Sequence, residues 1–237
     1  MKNTLQNIKK LFLGRDIWDY ISDDDVEGLE KHLKRYRGAN KKDKFGQTPI
    51  FRILYNKSAN QHKMLELLIK YGADVNFERE DGTTPIFYAK AVMARILIKN
   101  GAVPYKKSVH ARTPLFYVAD LETLEYMLDL GLDVNQRDNL GNNALHNMVY
   151  YEEDMVKTIL KYHAEANAQN NEGITPLMYL AMAEYRSDEE QTALISIAKI
   201  LTDHKADTTL RDNEGKSAID YAKVYNNLGL EQWLRTR

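Results

Sequence analysis

The sequence predicts an all-α fold, a row of helix-turn-helix units with β-turn tips, and three observations predict it. A Thr-Pro-[Ile/Leu] step recurs at Pro49, Pro85, Pro114 and Pro176, and Ala144 and Ala218 fill the proline's place in Asn143-Ala144-Leu145 and Ser217-Ala218-Ile219. Successive steps lie 36, 29, 30, 32 and 42 residues apart, scattered about the roughly 33-residue period of one class of helical repeat. A second motif trails the first in phase. It reads Tyr71-Gly72-Ala73-Asp74-Val75-Asn76, Asn100-Gly101-Ala102-Val103 and Leu130-Gly131-Leu132-Asp133-Val134-Asn135, with weaker copies at Tyr162-His163-Ala164-Glu165-Ala166-Asn167 and His204-Lys205-Ala206-Asp207.

Each part of the double motif has a physical role. Thr48, Thr84, Thr113 and Thr175 are placed as N-caps, whose hydroxyls are expected to accept a bond from a helical N–H that lacks an intrahelical partner. The proline that follows suits the first helical position, where no N–H is needed and φ is already set. Gly82 and its counterparts, two residues before the threonine, belong to a turn that needs positive φ. Gly72, Gly101 and Gly131 close the second helix in the left-handed conformation. His163 and Lys205 stand at that place in later repeats, so those caps should be less favourable.

The double motif resembles the ankyrin repeat: a turn, a Gly-x-Thr-Pro-Leu-His-x-Ala helix, a second helix ending in Leu-Leu, then Gly-Ala-Asp-Val-Asn. The resemblance spans nearly the whole chain and implies an ankyrin-repeat solenoid of about seven units, including degenerate terminal caps. Residues 1–42 are expected to be an N-terminal helix, with Leu5, Ile8, Leu11 and Phe12 on one face, and a degenerate capping repeat whose second helix is capped from Asp23-Asp24-Asp25. Repeats follow at about 43–79, 80–107, 108–136, 137–169 and 170–210. Two are compressed: Thr84 to Gly101 is 17 residues and Thr113 to Gly131 is 18, against 24 from Thr48 to Gly72, so the connection between their helices should be short. The repeat from 170 is expanded, with 30 residues from Thr175 to Lys205. The extra length falls around Ala183 to Gln191, where Ser187 or Asp188 is placed to cap an added turn of the second helix; it is either a surface elaboration or a partner contact. Residues 211–237 lack the trailing motif and read as a C-terminal cap.

Composition narrows the function. Lys and Arg total 33 against 34 Asp and Glu, a net charge of −1, which removes the main electrostatic reason to expect nucleic acid as a partner. A basic run over Lys31 to Arg37, with Lys41, Lys42 and Lys44, reads as a solvated face or a contact for an acidic partner. The absence of cysteine excludes disulfides and thiolate metal sites and fits a cytoplasmic location. The N-terminus has no apolar core typical of a signal peptide, and no stretch approaches about 18 consecutive apolar residues, so no membrane association is expected. The six histidines form no metal-ligand spacing, and nucleophile elbow, phosphate loop and dinucleotide fingerprint are all missing. No catalytic residue, metal or cofactor is therefore assigned. The resemblance implies a structural role for His146, hydrogen bonding between neighbouring turns.

The resemblance also implies that the turn tips and the exposed face of the first helices line a recognition groove. The position after the Thr-Pro-Leu-His step reads Arg52, Tyr88, Tyr117, Asn147, Tyr179 and Tyr221. Four tyrosines at repeat spacing offer apolar area and a hydroxyl together, as binding hot spots do, although the same rings could simply pack along the inner helices. Leu140 and the Tyr150-Tyr151 pair join them as candidate partner-binding residues, with Tyr117, Tyr150 and Leu140 at the middle, and Phe45 is a further apolar tip residue. Asn76 and Asn135 resemble positions open to asparagine hydroxylation, but the simpler expectation is a turn residue bonded to its own backbone. The reading is a monomeric, non-catalytic module that binds another protein. A narrower alternative is an inhibitor or immunity-type protein that occludes an enzyme. A third is a regulatory or host-directed effector, disfavoured because few residues remain for a separate activity.

Overall fold

The computed structural model describes residues 15–56, 58–185 and 187–237, so the expected helical face from Leu5 to Phe12 lies outside the described residues. The chain divides into two compact units, Met1–Lys106 and Lys107–Arg237. The division falls one residue before Ser108, where a repeat begins its turn.

In the first unit, α1 (Ile17–Ser22) and α2 (Val26–Tyr36) form the degenerate repeat, and α3 (Pro49–Tyr55) and α4 (Gln61–Lys70) the first full one. A 3-10 turn (Pro85–Tyr88) and α5 (Ala91–Lys99) complete the unit. Asp16 and Asp25 start α1 and α2 by accepting bonds from the first-turn amides of Ile17 and Gly28. The first helices α1, α3 and the 3-10 turn touch in succession, the second helices α2, α4 and α5 do the same, and each pair packs across the row. Ile17, Ile21, Leu29, Leu33, Phe51, Leu65 and Leu68 are fully buried in the seam between rows.

The second unit repeats the plan. Its first helices are a 3-10 turn (Pro114–Tyr117), α6 being its partner (Leu121–Asp129), then α7 (Ala144–Met148), α9 (Pro176–Ala181) and α11 (Ala218–Val224). The remaining second helices are α8 (Glu153–Lys161), α10 (Asp188–Asp203) and α12 (Leu228–Leu234), and both rows touch in sequence order. Leu124, Met127, Leu145, Val156, Ile159, Leu180 and Leu201 are fully buried there. No strand occurs among the described residues of either unit, and the fold is that of an all-α helix-pair repeat array.

Four expectations change in detail. First, the threonine hydroxyls of Thr48, Thr84 and Thr113 are buried and make no hydrogen bond among the described residues. The cause is the tight first turn. The amides of Phe51, Phe87 and Phe116 bond the carbonyls of those threonines at 3.1, 3.0 and 3.1 Å, an i to i+3 bond that uses the donor the hydroxyl would need. At Thr175 the carbonyl takes the amide of Tyr179 at 3.0 Å, leaving the Met178 amide to donate to the hydroxyl at 3.3 Å. Second, the compressed repeats have short connections and have also reduced the first helix to a four-residue 3-10 turn.

Third, among the described residues the extra length near Ala183 is helical only from Asp188 onward. The hydroxyl of Ser187 accepts from the Glu190 amide at 3.2 Å, and α10 runs for 16 residues from Asp188. Fourth, the asparagines of the trailing motif bond the next repeat, not themselves. Asn76 donates to the Gly101 carbonyl at 2.8 Å and accepts from the Val103 amide at 2.9 Å. Asn135 does the same to His163 and Glu165 at 3.0 and 2.9 Å. Asn40 clamps Gly72 and Asp74, and Asn167 clamps Lys205 and Asp207. Each asparagine thus satisfies a carbonyl and an amide of the loop just past the second helix of its successor, backbone groups that lie beyond the helical ladder. His163 and Lys205 hold the C′ position with φ of 68° each.

Candidate partner-binding site

The tips are built by one device. A side-chain oxygen at the turn's first residue accepts the amides two and four residues on. Asp43 takes Phe45 and Gln47 at 2.8 and 2.9 Å, Asp138 takes Leu140 and Asn142 at 2.9 and 3.0 Å, and Asn170 takes Glu172 and Ile174 at 2.9 Å each. Asp212 does so with Glu214 and Lys216, and Ser108 more weakly with His110 and Arg112. Position 79 breaks the series with arginine. There Asp81 supports the turn, accepting from the Thr83 amide at 2.9 Å and its hydroxyl at 2.6 Å.

In the second unit the tips are tied together. The amides of Asn139, Asn171 and Asn213 donate to the carbonyls of His110, Leu140 and Glu172 at 2.9, 3.0 and 2.9 Å. Their side-chain amides donate to Val109, Asn139 and Asn171 at 3.1, 3.0 and 2.9 Å. In the first unit the residues at the same place are Lys44 and Glu80, and no such bond joins their tips among the described residues. Between them lies a cleft of about 280 Å³ lined by Lys42, Phe45, Phe77, Arg79, Glu80 and Asp81.

Of the residues expected to bind a partner, Arg52 and Tyr88 belong to the first unit. Arg52 is exposed on α3, 3.4 Å from the Ser22 hydroxyl, and lines a cleft of about 260 Å³ with Ser22, Tyr55 and Asn56. Tyr88 is half-buried, its ring 6.0 Å from Phe51 and 5.4 Å from Tyr55. Its hydroxyl donates to that of Thr83 at 3.2 Å and accepts from Arg79. Burial pushes the Tyr55 phenol up despite the Arg79 charge, which acts the other way.

The second unit holds the other seven. Tyr117, Asn147, Tyr179 and Tyr221 are half-buried, while Leu140, Tyr150 and Tyr151 are 58%, 51% and 38% exposed. Two of them meet directly: the Tyr150 hydroxyl donates to the Tyr179 carbonyl at 2.7 Å. Burial, then the neighbouring Tyr179 and Tyr225 phenols, push Tyr150 up to about 12. The Tyr179 ring stands edge-on to His146 at 5.4 Å. His146 is fully buried, and its Nε2–H donates to the Ile174 carbonyl of the next turn at 3.1 Å, leaving Nδ1 to accept the Asn143 amide at 3.1 Å. Burial holds its pKa down, so it serves as a neutral strut. The Tyr221 hydroxyl donates to Asp212. Burial raises the Asp212 pKa, but the bonds from Tyr221, Lys216 and Glu214 outweigh it and hold the carboxyl below its ordinary value.

Sequence reasoning did not find Tyr55, Phe77 and Arg79. Their signal was present. Arg79 occupies a place given to Asp, Ser or Asn in five other turns, and Tyr55 stands seven residues after Thr48 as Tyr150 stands seven after Asn143.

Among the described residues no group of His, Asp or Glu side chains is arranged to hold a metal, and no helix is long and apolar enough to cross a membrane. Comparison with known proteins agrees with the architecture. A family model for ankyrin repeats in three copies matches residues 58–138, 116–186 and 145–235. A fowlpox virus (strain NVSL) protein named for its ankyrin repeats is 29% identical over 183 residues, covering 74% of this chain and 44% of that protein. Human SH3 and multiple ankyrin repeat domains protein 2 is 26% identical over 243 residues, covering 98% and 12%. Human neurogenic locus notch homolog protein 1 is 33% identical over 155 residues, covering 60% and 6%. The chain thus spans less than half the length of each of these relatives. Ankyrin repeats generally mediate protein–protein interaction. With helix pairs, turn tips and inter-repeat bonds all of one pattern, and a family model matching most of its length, the chain belongs to the ankyrin-repeat family.

Proposed function

We propose that this protein is a non-catalytic, cytoplasmic binding module that engages a partner protein through its turn tips and the exposed ends of its first helices. One observation carries the reading. The apolar framework of each repeat is buried, whereas Phe45 at 73% and Leu140 at 58% exposure are large apolar side chains at turn tips, and Tyr150, though its hydroxyl is bonded to the Tyr179 carbonyl, is still 51% exposed. Exposed apolar residues grouped on one kind of structural element mark interaction surfaces. Tyr117, Tyr151, Tyr179 and Tyr221 in the second unit, with Arg52 and Tyr88 in the first, supply polar tips on apolar bodies and Asn147 a side-chain amide, a composition suited to recognition.

The test is a partner pull-down from the native cell followed by titration of the captured protein. Alanine at Tyr117, Leu140 and Tyr150 should together weaken binding by about 2 kcal/mol or more, the scale of a hot spot. Affinity within about 0.5 kcal/mol of wild type removes these three from the interface.

A further inference from the structure

The first unit contains an arginine with no carboxylate in ion-pair contact among the described residues; Asp81, two residues on, feels its charge but is bonded to its own turn. Arg79 is half-buried, and its Nη1 donates to the hydroxyls of Tyr55 at 3.2 Å and Tyr88 at 3.4 Å. Its guanidinium carbon lies 5.3 Å from the Phe51 ring centre and 5.7 Å from that of Tyr88. Nε and Nη2 make no hydrogen bond among the described residues, and no carboxylate there lies within ion-pair distance of Arg79. Two weak phenol bonds leave unused the planar, two-pronged donor set that distinguishes arginine from lysine. The position is also anomalous. In five other turns its occupant caps the turn amides, and here that role has passed to Asp81, freeing position 79 to project a charge.

The surroundings define what this charge is for. Arg79 borders the tip cleft, whose apolar walls are Phe45 and Phe77, and bonds Tyr55, which borders the second cleft beside Arg52. Lys42 lies over Phe77 at 4.8 Å and Lys44 over Phe45 at 4.8 Å, and neither these lysines nor Arg52 has an ion-pair partner among the described residues. The acidic groups nearby are engaged or outward. Glu78 pairs with Lys106 at 2.5 Å, Asp81 serves its turn, and Glu80 is exposed on the cleft rim. With Glu78 paired and Asp81 bonded to its turn, Glu80 stands against Lys42, Lys44 and Arg79, and the cleft is cationic and open to a carboxylate.

We propose that the cleft between the first unit's tips docks an acidic peptide segment of a partner protein. One Asp or Glu carboxylate takes the free edge of Arg79, and an adjacent bulky apolar side chain lies between Phe45 and Phe77. The arginine is pre-oriented by Tyr55 and Tyr88, so the bidentate pair forms with little ordering cost. This rests on the reading of the protein as a binding module and names the partner chemistry of one of its surfaces.

The experiment is selection of a random 12-residue peptide library displayed on phage against the full chain, with the strongest peptide then made synthetically and titrated. The expected result is enrichment of Asp or Glu next to Phe, Trp, Leu or Met. Arg79→Gln should weaken that peptide at least tenfold, Arg79→Lys less, and replacing the peptide's carboxylate by the amide should cost the same in wild type and nothing further in Arg79→Gln. Thermal melts of both variants confirm that the fold is retained. Failure to enrich any peptide, enrichment without acidic residues, or an affinity indifferent to Arg79→Gln overturns the inference. Peptides lost on Tyr150→Ala or Leu140→Ala but indifferent to Arg79 would sink it while leaving the broader reading standing. Light scattering that shows a dimer dissociated by Arg79→Gln would assign the cleft to a second copy, and would overturn it equally.

Discussion

Phe51, Tyr55 and Tyr88 in the first unit and His146, Tyr150 and Tyr179 in the second occupy the same repeat positions, yet they are wired differently. In the second unit the tyrosine hydroxyl is spent on a backbone carbonyl, the histidine braces the next turn, and asparagines bind the tips into a continuous line. In the first, phenylalanine replaces the histidine, arginine replaces the turn-capping residue, and Lys44 and Glu80 leave a cleft where the tips would join. One motif can therefore be tuned for internal cohesion or for an open polar-aromatic surface by changing side chains at its turn and at one buried position of its first helix. The trade reaches one layer into the core, where fully buried Phe51 stands in place of fully buried His146.

The largest expected difference comes from one substitution made twice. Gly173 has φ of 80°, and a Cβ there would stand 2.8 Å from the Asn213 amide nitrogen; Gly46, at φ of 73°, has nothing within 4 Å. Gly173→Ala should cost about 3 kcal/mol or more, combining strain with a backbone clash, and Gly46→Ala about 1 kcal/mol from the left-handed backbone alone. Urea denaturation measures both. Equal losses would mean that the tips are equally close-packed and would dissolve the contrast.

Asp212 sharpens the same comparison through pH. Its carboxyl is held below the ordinary 3.8, so its contribution is complete above that value and is lost as pH falls through the lower folded-state pKa. Asp212→Asn keeps the turn geometry, as Asn170 shows in its own turn, and removes the charge. It should cost about 1.5 kcal/mol near neutral pH, with the gap to wild type narrowing as pH drops below 3.8. A gap that is flat with pH would contradict the assignment.

Smaller effects separate the threonines. Thr175→Val removes a working cap and should cost about 1 kcal/mol. Thr84→Val removes a buried hydroxyl that bonds nothing and should be neutral or stabilising by up to about 1 kcal/mol. Thermal melts of the pair decide whether the tight first turn really silences the hydroxyl. Smallest is Lys205→Gly, which relieves a positive φ but loosens the unfolded chain, for a net gain of about 0.5 kcal/mol. A loss there would show that the lysine side chain does more than fill its cap.

Proline and glycine made the fold legible in the sequence, because each fixes a backbone torsion and so marks a place in the repeat regardless of what surrounds it. The helix pairs and the left-handed caps could be read that way, and the His146 strut followed from the resemblance to the ankyrin repeat. The reduction of two first helices to 3-10 turns could not, since it depends on how few residues remain between Pro85 and Ala91 once the second helix is packed. Nor could the clamps of Asn76 and Asn135 be distinguished from local turns, because their partners lie 25 to 30 residues away. On the surface, the tyrosines after the Thr-Pro step stood out by recurring. Arg79 was hidden for the opposite reason: a search for repetition passes over the one residue that breaks it.

The asparagine clamps give the array a direction. Asn40, Asn76, Asn135 and Asn167 each belong to the earlier repeat and finish the helix end of the later one. A nascent chain leaves the ribosome in that same order, so within each unit every clamp is already waiting when the helix it closes emerges. Either cut uncovers an apolar face of the neighbour, but removing a leading repeat also strips its follower of a finished end, whereas removing a trailing one leaves its predecessor's asparagine merely idle in water.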